Sequence, residues 1–420
     1  MPSKVSQASH REKIFFMMMM FMWASQVTPY TGFNFGDNPL LMPLYLLILA
    51  YYYISYCKKT TKPLVIFVGI FAVWFVAICI KYGGIQKFSF PPLYYILIAH
   101  IAYNIYDRKE FFAMFENILV KFCVLSLFVW GLANIVGDTF VNFMHSIAVY
   151  ENHPPTETYS FVTGLGSQFE MGIRRNIGFT WEPGKFSCWV LLGLFFNVIQ
   201  NNFNFSFYKN KHFYILFLTL LSTLSTTGYA VFGLIILLIL YNKESYGFKV
   251  LIVVGLVLLL PTIISLSFIG DKIINLVNIE QDISAIEYFN RKGMESICPQ
   301  RFMGAYVSLN NLITDPLLGF NQLENSYGST VMFPGIIIAP SEGIIGVFAK
   351  YGLLVGSFFY FYLIKSSVIL RDIYQYKGKY YFLLFFLAIS FSYDFWEDAI
   401  MMSIYLMAFY RRFSPEYVKY

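Results

Sequence analysis

The stretch RRNIGFTWEPGKFS, residues 174–187, concentrates side chains that can bind an anion. Its charged members are Arg174, Arg175, Glu182 and Lys185. Proline suits the first position of a helix, so Pro183 predicts a helix start with Glu182 at the cap, beside the partial positive charge of the helix. Guanidinium groups and a helix N-terminus both favour phosphate or carboxylate. The stretch therefore predicts an anion site at the start of a long apolar helix.

Glu182 has three candidate roles at such a helix start. A carboxylate at the cap stabilises the helix by itself. The same carboxylate can hold Arg175 in place, or it can act as a general base for a substrate hydroxyl. The residue types leave these alternatives open.

Composition places the chain among integral membrane proteins. Of its 420 residues, 57% are hydrophobic, 20% aromatic and 13% charged, whereas soluble domains are about 25% charged. The net charge of +6 reflects basic loops facing the cytoplasm and does not indicate nucleic-acid binding. The five cysteines and five histidines are scattered, so the sequence predicts no metal site and no cofactor.

Apolar runs of spanning length alternate with polar connections along the whole chain. They predict an all-α polytopic protein of about twelve transmembrane helices, with both termini cytoplasmic and no separate soluble domain. The predicted spans are residues 14–30, 40–56, 63–80, 88–106, 111–137, 182–200, 212–224, 229–241, 250–269, 344–364, 380–393 and 400–410. Two large loops, residues 138–182 and 270–341, are then external, and most of the thirty lysines and arginines fall inside.

Three local features qualify this topology. The first turns of the run at 111–137 are predicted to lie along the inner membrane surface as an amphipathic entry. STTG, residues 225–228, joins two short apolar runs and is either a cavity-lining break or a tight connection. Asp394, Glu397 and Asp398 have helical spacing, so they are expected on one helical face, in a solvated turn or facing a cavity.

Arginines outside the membrane run against the usual charge bias of polytopic proteins. Arg174, Arg175 and Arg301 lie in the two predicted external loops. A guanidinium fork matches phosphate oxygens in pairs and stays charged at any physiological pH. We therefore expect these arginines to converge on one anionic group, with solvated loop positions or lipid-headgroup contacts as the alternative.

Two groups of residues resemble the Wzy-type O-antigen polymerases, whose superfamily also contains the O-antigen ligases. The family pattern R-x-x-G-x-x-x-E-P-G-x-F is matched by Arg175, Gly178, Glu182, Pro183, Gly184 and Phe186. An arginine followed by a turn of the form n-P-l-l-G-x-G is matched by Arg301, Asp315, Pro316, Leu317, Leu318 and Gly319. STTGY before an apolar helix also fits, and the resemblance covers roughly residues 170–364.

Two departures distinguish this chain from the family patterns. Phe320 stands where the turn would end in glycine, which affects the expected local backbone. No histidine follows His212, whereas ligases of the superfamily are expected to carry one in the second external loop. This absence favours a polymerase over a ligase.

The resemblance implies a membrane glycosyltransferase with GT-C-like architecture in the bacterial cytoplasmic membrane. It would join polyprenyl-pyrophosphate-linked repeat units, donor and acceptor, on the outer face to form O-antigen or capsule, alongside membrane lipids and a chain-length regulator. Glu182, Arg175 and Arg301 would be catalytic, and Arg174, Lys185 and Gly184 would bind substrate. The alternatives are a ligase acting on lipid A core and a lipid-linked oligosaccharide flippase or transporter.

Overall fold

Helices make up most of the chain in a computed structural model of the protein. It describes residues 8–22, 41–57, 62–84, 91–147, 150–151, 157–160, 163–166, 168–170, 172–180, 182–203, 210–242, 283–284, 286–288, 296–320, 323–340, 342–396 and 398–408. The predicted span at 250–269 lies outside the described residues. The all-α class is confirmed for the described part, with only short strands in addition.

The described helices are α1 (His10–Met22), α2 (Leu41–Tyr56), α3 (Lys62–Lys81), α4 (Pro91–Ile105), α5 (Arg108–Ile135), α6 (Asp138–Ser146), α7 (Pro183–Gln200), α8 (Lys211–Ser222), α9 (Thr226–Asn242), α10 (Arg301–Thr314), α11 (Gly346–Tyr374), α12 (Tyr381–Ser390) and α13 (Ala399–Leu406). Eleven of the described helices overlap the predicted apolar runs, whereas α6 and α10 lie in the two predicted external loops. A 3₁₀ turn at Leu323–Asn325 and a π turn at Gly328–Met332 follow α10. Among the described helices, α5 and α11 are long and apolar enough to cross a membrane, and six further apolar helices are shorter.

Short antiparallel strands occupy part of the first predicted external loop. β1 (Tyr150–Glu151), β2 (Glu157–Ser160) and β3 (Thr163–Gly166) form one small sheet, and β4 (Phe169–Glu170) pairs with β5 (Ile173–Arg174). In the second loop, β6 (Ser296–Ile297) pairs in parallel with β7 (Ile337–Ile338). Both loops are therefore partly ordered structures that contain backbone hydrogen bonds.

Helix α7 lies at the centre of the main hydrophobic core. Every residue from Pro183 to Ile199 is buried, because α5, α8 and α9 pack against it on different sides. A mostly apolar helix that is buried all round, as α7 is, fits such a central position. Its first turn is consequently held rigidly, and that turn carries the predicted anion site.

The far end of α7 is held by a buried carboxylate on α5. The Glu116 carboxylate accepts hydrogen bonds from Asn197 Nδ2 at 2.8 Å and Gln200 Nε2 at 2.7 Å, and it lies 2.8 Å from His212 Nδ1. Charges in an apolar interior need such partners. Helix α5 is one continuous helix from Arg108 to Ile135, and Phe111, Phe112 and Glu116 near its start are buried. The placement of its first turns along the membrane surface stays a prediction.

Helix α11 extends beyond the predicted span at 344–364 and includes ten residues assigned to a polar loop. Small hydroxyl groups in this segment find internal partners: Ser366 Oγ donates to Tyr405 O at 3.1 Å, and Ser367 Oγ donates to Lys379 O at 2.9 Å. The Lys365 ammonium lies 4.3 Å from the Phe361 ring, one turn earlier. These pairings allow a polar sequence to remain helical inside the packed helices.

Helix α11 is kinked at Gly352, where the turn after α10 packs against it. Gly352 has φ of 71° and Gly319 has φ of 69°, a region that glycine adopts without strain. The Leu353 N–H donates to Pro316 O at 2.7 Å, and the Phe320 N–H donates to Ala349 O at 3.1 Å. Phe320 thus takes part in ordered backbone bonding although the family turn has glycine at this position.

We expect Gly352→Ala to destabilise the protein by at least about 2 kcal/mol. A Cβ at Gly352 would overlap the Leu317 carbonyl, and the positive φ adds strain of its own. The matched control is Gly233→Ala in α9, where a Cβ meets nothing within 4 Å. The control should be neutral or stabilising by up to about 1 kcal/mol. Thermal unfolding in detergent measures the stability of both variants. Equal melting temperatures would show that the kink at Gly352 does not require glycine.

Candidate functional site

The predicted helix start is confirmed, and Glu182 occupies its N-cap position. Pro183 is the first residue of α7, and Glu182 has the extended backbone, φ −145° and ψ 138°, that precedes a helix. However, the Glu182 side chain makes no capping hydrogen bond. Its Oε1 instead accepts a hydrogen bond from the Tyr393 hydroxyl at 2.7 Å. The carboxylate is therefore turned toward Tyr393, and Glu182 still lies at the helix start, where a negative charge is favourable.

Tyr393 is buried beside the first turn of α7, and a glycine makes room for it. The ring comes so close to Gly184 that a Cβ there would overlap the Tyr393 hydroxyl. Because glycine has no Cβ, the hydroxyl can pass over the helix backbone and reach Glu182. Gly184 was predicted to bind substrate. The structure places a protein side chain, Tyr393, directly against it.

Arg301 comes to the same tyrosine from the second loop. Its guanidinium carbon lies 4.6 Å from the centre of the Tyr393 ring, within the range of a cation–π contact. Arg301 is the first residue of α10, so the starts of α7 and α10 meet at Tyr393. One phenol thus contacts a carboxylate through its hydroxyl and an arginine through its ring.

Arg175 approaches from the first loop and is held by two oxygen acceptors. Its Nε donates to Thr223 O at 2.9 Å, and its Nη1 donates to Gln168 Oε1 at 3.1 Å. Burial lowers the pKa of Arg175, and the nearby Tyr393, Glu170 and Glu182 oppose that shift. A guanidinium starts from so high a pKa that Arg175 remains charged. Arg175 therefore places a fixed positive charge close enough to Glu182 and Tyr393 to interact with them electrostatically.

Arg174 points to a different part of the first loop. Its Nη1 donates to Gly166 O at 2.6 Å, and its guanidinium lies 4.7 Å from the centre of the Phe169 ring. Its backbone carbonyl accepts from Trp130 Nε1 at 2.5 Å. These contacts give Arg174 a place in the β-hairpin beside α5, whereas Arg175 and Arg301 lie near Tyr393.

Lys185 is buried under the connection between α12 and α13. Its Nζ donates to Asp394 O at 3.2 Å and lies 4.7 Å from the centre of the Phe395 ring. The Lys185 side chain therefore supports this connection, one turn beyond Glu182. Lys185 was predicted to bind substrate. In the structure its ammonium lies 5.9 Å from the centre of the Tyr393 ring.

The acidic residues after Tyr393 are not on one helical face, so that prediction was wrong. Residues 391–396 form turns and irregular backbone, and Glu397 lies outside the described residues. The Asp394 carboxylate accepts from the Trp396 N–H at 3.0 Å. Asp398 caps α13 by accepting from the Ile400 and Met401 N–H groups at 2.8 and 3.2 Å. Both carboxylates bind local backbone, which explains why the segment turns before α13 begins.

STTG lies at the start of α9 and packs against the first turn of α7. Ser225 Oγ lies 3.1 Å from Ser187 Oγ and accepts from the Gly228 N–H at 3.1 Å, and residues 226–228 form the first turn of α9. Thr227 Oγ1 accepts from Ser392 Oγ at 2.9 Å, next to Tyr393. The predicted bounds of the connection were therefore wrong, because residues 223–225 join α8 to α9. These bonds brace the elements that carry Glu182 and Tyr393.

Two further residues of the first motif shape the loop that leads to Glu182. Gly178 has φ of 56°, and a Cβ there would overlap the Phe186 ring. The buried Asn176 donates through Nδ2 to Ser222 Oγ at 2.9 Å and accepts from the Gly178 N–H at 2.9 Å. Sequence reasoning missed Asn176 and Tyr393. Only the position of Tyr393 next to the acidic cluster was a signal, and it did not reveal the contact with Glu182.

The turn at residues 315–320 packs against α3 and α11, away from Tyr393. Lys81 at the end of α3 forms an ion pair with Asp315, and Trp74 Nε1 donates to Leu318 O at 2.9 Å. Of the second resemblance motif, only Arg301 lies by the candidate site. The rest of that motif positions α10.

The sequence matches no family model and no curated protein, and the structure matches no solved structure. Among the described residues, no group of three His, Cys, Asp or Glu side chains is arranged to hold a metal ion. The candidate site is therefore described by its own geometry: Glu182 and Arg301 on Tyr393, with Arg175 nearby.

Tyr393→Phe is expected to lower activity by about one to two orders of magnitude through the loss of the bond to Glu182. The ring, and with it the contact to Arg301, remains. Tyr381→Phe is the matched control, since it removes another tyrosine hydroxyl at the opposite end of α12, where the ring packs against Phe203 and Tyr376. For an enzyme that binds an anionic substrate here, turnover should fall more than the Michaelis constant rises, because the carboxylate is misplaced while the arginines are kept. Equal turnover in both variants would contradict this assignment.

Proposed function

We propose that this protein is an integral membrane glycosyltransferase that polymerises polyprenyl-pyrophosphate-linked oligosaccharide units on the outer face of the bacterial cytoplasmic membrane. The observation that carries the proposal is the meeting of Glu182 and Arg301, from two distant segments, on the single side chain of Tyr393. The resemblance to the Wzy-type polymerases involves the same two residues. Helices α5 and α11, with six shorter apolar helices, support a membrane setting.

The proposed reaction transfers a glycan from one lipid carrier to the end of another lipid-linked unit. An acceptor hydroxyl attacks the anomeric carbon of the donor sugar, and a new glycosidic bond forms. The bond from that carbon to the pyrophosphate oxygen breaks, and its electron pair leaves with polyprenyl pyrophosphate. Glu182 takes the proton of the acceptor hydroxyl as general base.

The arginines act on the leaving group in this proposal. Negative charge grows on the pyrophosphate as its bond to the sugar breaks, and preorganised cations stabilise that charge. Arg301 is preorganised by the Tyr393 ring, and Arg175 by Thr223 and Gln168. Guanidinium groups bind phosphate oxygens in pairs, which also orients the donor. Arg174 and Lys185 contribute to the positive surroundings and bind substrate less directly, given their contacts within the protein.

Other functions fit the same features less well. An O-antigen ligase would use the same donor, but the second loop contains no histidine for the role that the resemblance implies. A flippase or secondary transporter usually places ionisable groups deep within its spans. Here the arginines lie at helix starts and in loops. A polymerase is therefore the better proposal, with a chain-length regulator as a partner and no cofactor.

Deletion of the gene in its host, followed by electrophoresis of the envelope glycan, tests this function against its rivals. A polymerase deletion leaves single repeat units attached to the acceptor and removes the ladder of longer chains. Loss of all attached glycan would indicate a ligase instead. Accumulation of lipid-linked units on the cytoplasmic side would indicate a flippase. An unchanged ladder would contradict the proposal, and re-expression of the intact chain serves as the control.

A further inference from the structure

Helix α10 is apolar on two faces, although it lies in a loop predicted to be external. Its inner face, including Met303 and Val307, packs in a small core with Ile336 and Ile338. The opposite face exposes a regular apolar stripe, which we define as Phe302, Tyr306, Leu309, Ile313 and, in the following turn, Leu317. The spacing of four, three and four residues places the helical members on one side of the helix.

This stripe is long and carries no charge. From Phe302 to Ile313 it extends about 16 Å along the helix, and no residue from 302 to 314 is charged. Ile313 is 68% exposed and Leu317 is 71% exposed. A solvated surface helix normally presents polar side chains on its outer face. The stripe is instead the surface expected of a helix that lies in a membrane interface.

The stripe continues into the exposed apolar face of a membrane-length helix. The turn after α10 is bonded to α11 through the Leu353 N–H and Pro316 O at 2.7 Å, which brings Leu317 next to the kink at Gly352. Beyond the kink, α11 exposes Leu354, Phe361 and Ile364. These positions follow each other at intervals of seven and three residues, so they share one face. The same apolar medium can therefore cover α11 and the stripe.

Charged groups cluster where α10 meets the ends of the longer helices. Lys81, the last residue of α3, pairs with Asp315, and Lys350 lies 5.7 Å from the centre of the Tyr351 ring in the first turns of α11. Val73, Val76 and Ile80 expose apolar surface on α3 just before Lys81. Lysines beside apolar surface are typical of the headgroup level, where their stems lie in lipid and their ammonium groups in water.

We propose that α10 lies in the outer-leaflet interface of the bilayer, with its stripe in contact with lipid. The occupant of this face is thus the membrane surface itself. This inference rests on the proposed function. Because Arg301 is the first residue of α10, an interfacial α10 holds the Arg301 guanidinium at the depth of the lipid headgroups. That is the depth at which the pyrophosphate of a lipid-linked donor resides. The stripe fixes the height of the arginine relative to its substrate.

Fluorescence quenching on variants with one added cysteine, in nanodiscs, tests this placement. Leu309→Cys and Ile313→Cys are labelled with an environment-sensitive fluorophore. The background carries Cys57→Ser, Cys79→Ser and Cys298→Ser, because these three cysteines are exposed or partly exposed, whereas Cys123 and Cys188 are buried. Phe361→Cys on α11 is the lipid control, and Lys377→Cys, after α11, is the aqueous control. The background protein without an added cysteine gives the unspecific signal. Nitroxide-bearing lipids quench labels in the bilayer, and iodide quenches labels in water.

Labels at 309 and 313 are expected to show several-fold stronger quenching by shallow nitroxide lipids than the label at 377, and much weaker quenching by iodide. Iodide quenching at 309 and 313, with lipid quenching retained at 361, would overturn this placement while leaving the polymerase proposal intact. Protection from both quenchers would show that protein covers the stripe and would also overturn it. Iodide quenching at all three positions would defeat the membrane setting on which both proposals rest.

Discussion

Replacing Arg301 with alanine is expected to reduce polymerisation by two to three orders of magnitude, roughly the effect of removing one preorganised donor from a developing negative charge. The guanidinium lies on the Tyr393 ring, and that same tyrosine binds Glu182. In the proposed reaction, its loss removes positive charge from the leaving pyrophosphate without opening the helix core. Release of polyprenyl pyrophosphate by the purified variant measures the effect.

Arg371→Ala provides the matched control for this substitution. Arg371 lies in the last turn of α11 and pairs with the neighbouring Asp372 at 3.0 Å, outside the candidate site. This variant should polymerise normally. Arg301→Lys should recover only part of the activity, because a lysine cannot form paired bonds to phosphate. A normal ladder of chain lengths from Arg301→Ala would show that Arg301 does not act on the substrate.

Gly184→Ala is expected to abolish activity and to lower stability by about 1–3 kcal/mol, the usual cost of overpacking a well-packed core. The added Cβ would overlap the Tyr393 hydroxyl and force the ring away from Glu182. Because every other side of α7 is packed, the first turn cannot move aside to compensate. Activity and thermal unfolding of the purified variant are the measurements.

Gly131→Ala in α5 is the matched control for Gly184→Ala. A Cβ at Gly131 meets nothing within 4 Å, so this change tests only the effect of alanine in a helix. It should leave activity unchanged. If Gly184→Ala kept full activity, the close approach of Tyr393 to α7 would not be needed for function, and the assignment of Tyr393 would have to be abandoned.

Local features of the site were predictable from sequence because they depend on neighbouring residues. The start of α7 follows from Pro183, whose ring favours the first helical position. Gly178 and Gly319 have positive φ, and both are glycines of the two sequence motifs. The existence of α8 and α9 followed from apolar runs bounded by polar residues, although α9 begins at Thr226, three residues before its predicted run. In each of these cases the physical cause lies within a few residues of its effect.

The side-chain arrangement could not be predicted in the same way. Tyr393 and Glu182 are 211 positions apart, and nothing in the local sequence of either residue specifies the other. The N-cap position of Glu182 was predictable for the opposite reason, whereas the hydroxyl from which its carboxylate accepts a hydrogen bond was not. Likewise, the polar end of α11 remains helical because Ser366 and Ser367 find partners on later segments. Tertiary contacts decided these points over local preference.

Glycan polymerisation at Glu182 and Arg301 is best tested with purified protein in nanodiscs. The substrate is one synthetic polyprenyl-pyrophosphate-linked repeat unit, supplied as both donor and acceptor. We expect a ladder of longer lipid-linked glycans, with one polyprenyl pyrophosphate released for each new glycosidic bond. Unchanged substrate, under conditions in which the folded protein is shown to bind it, would rule out polymerisation by this protein.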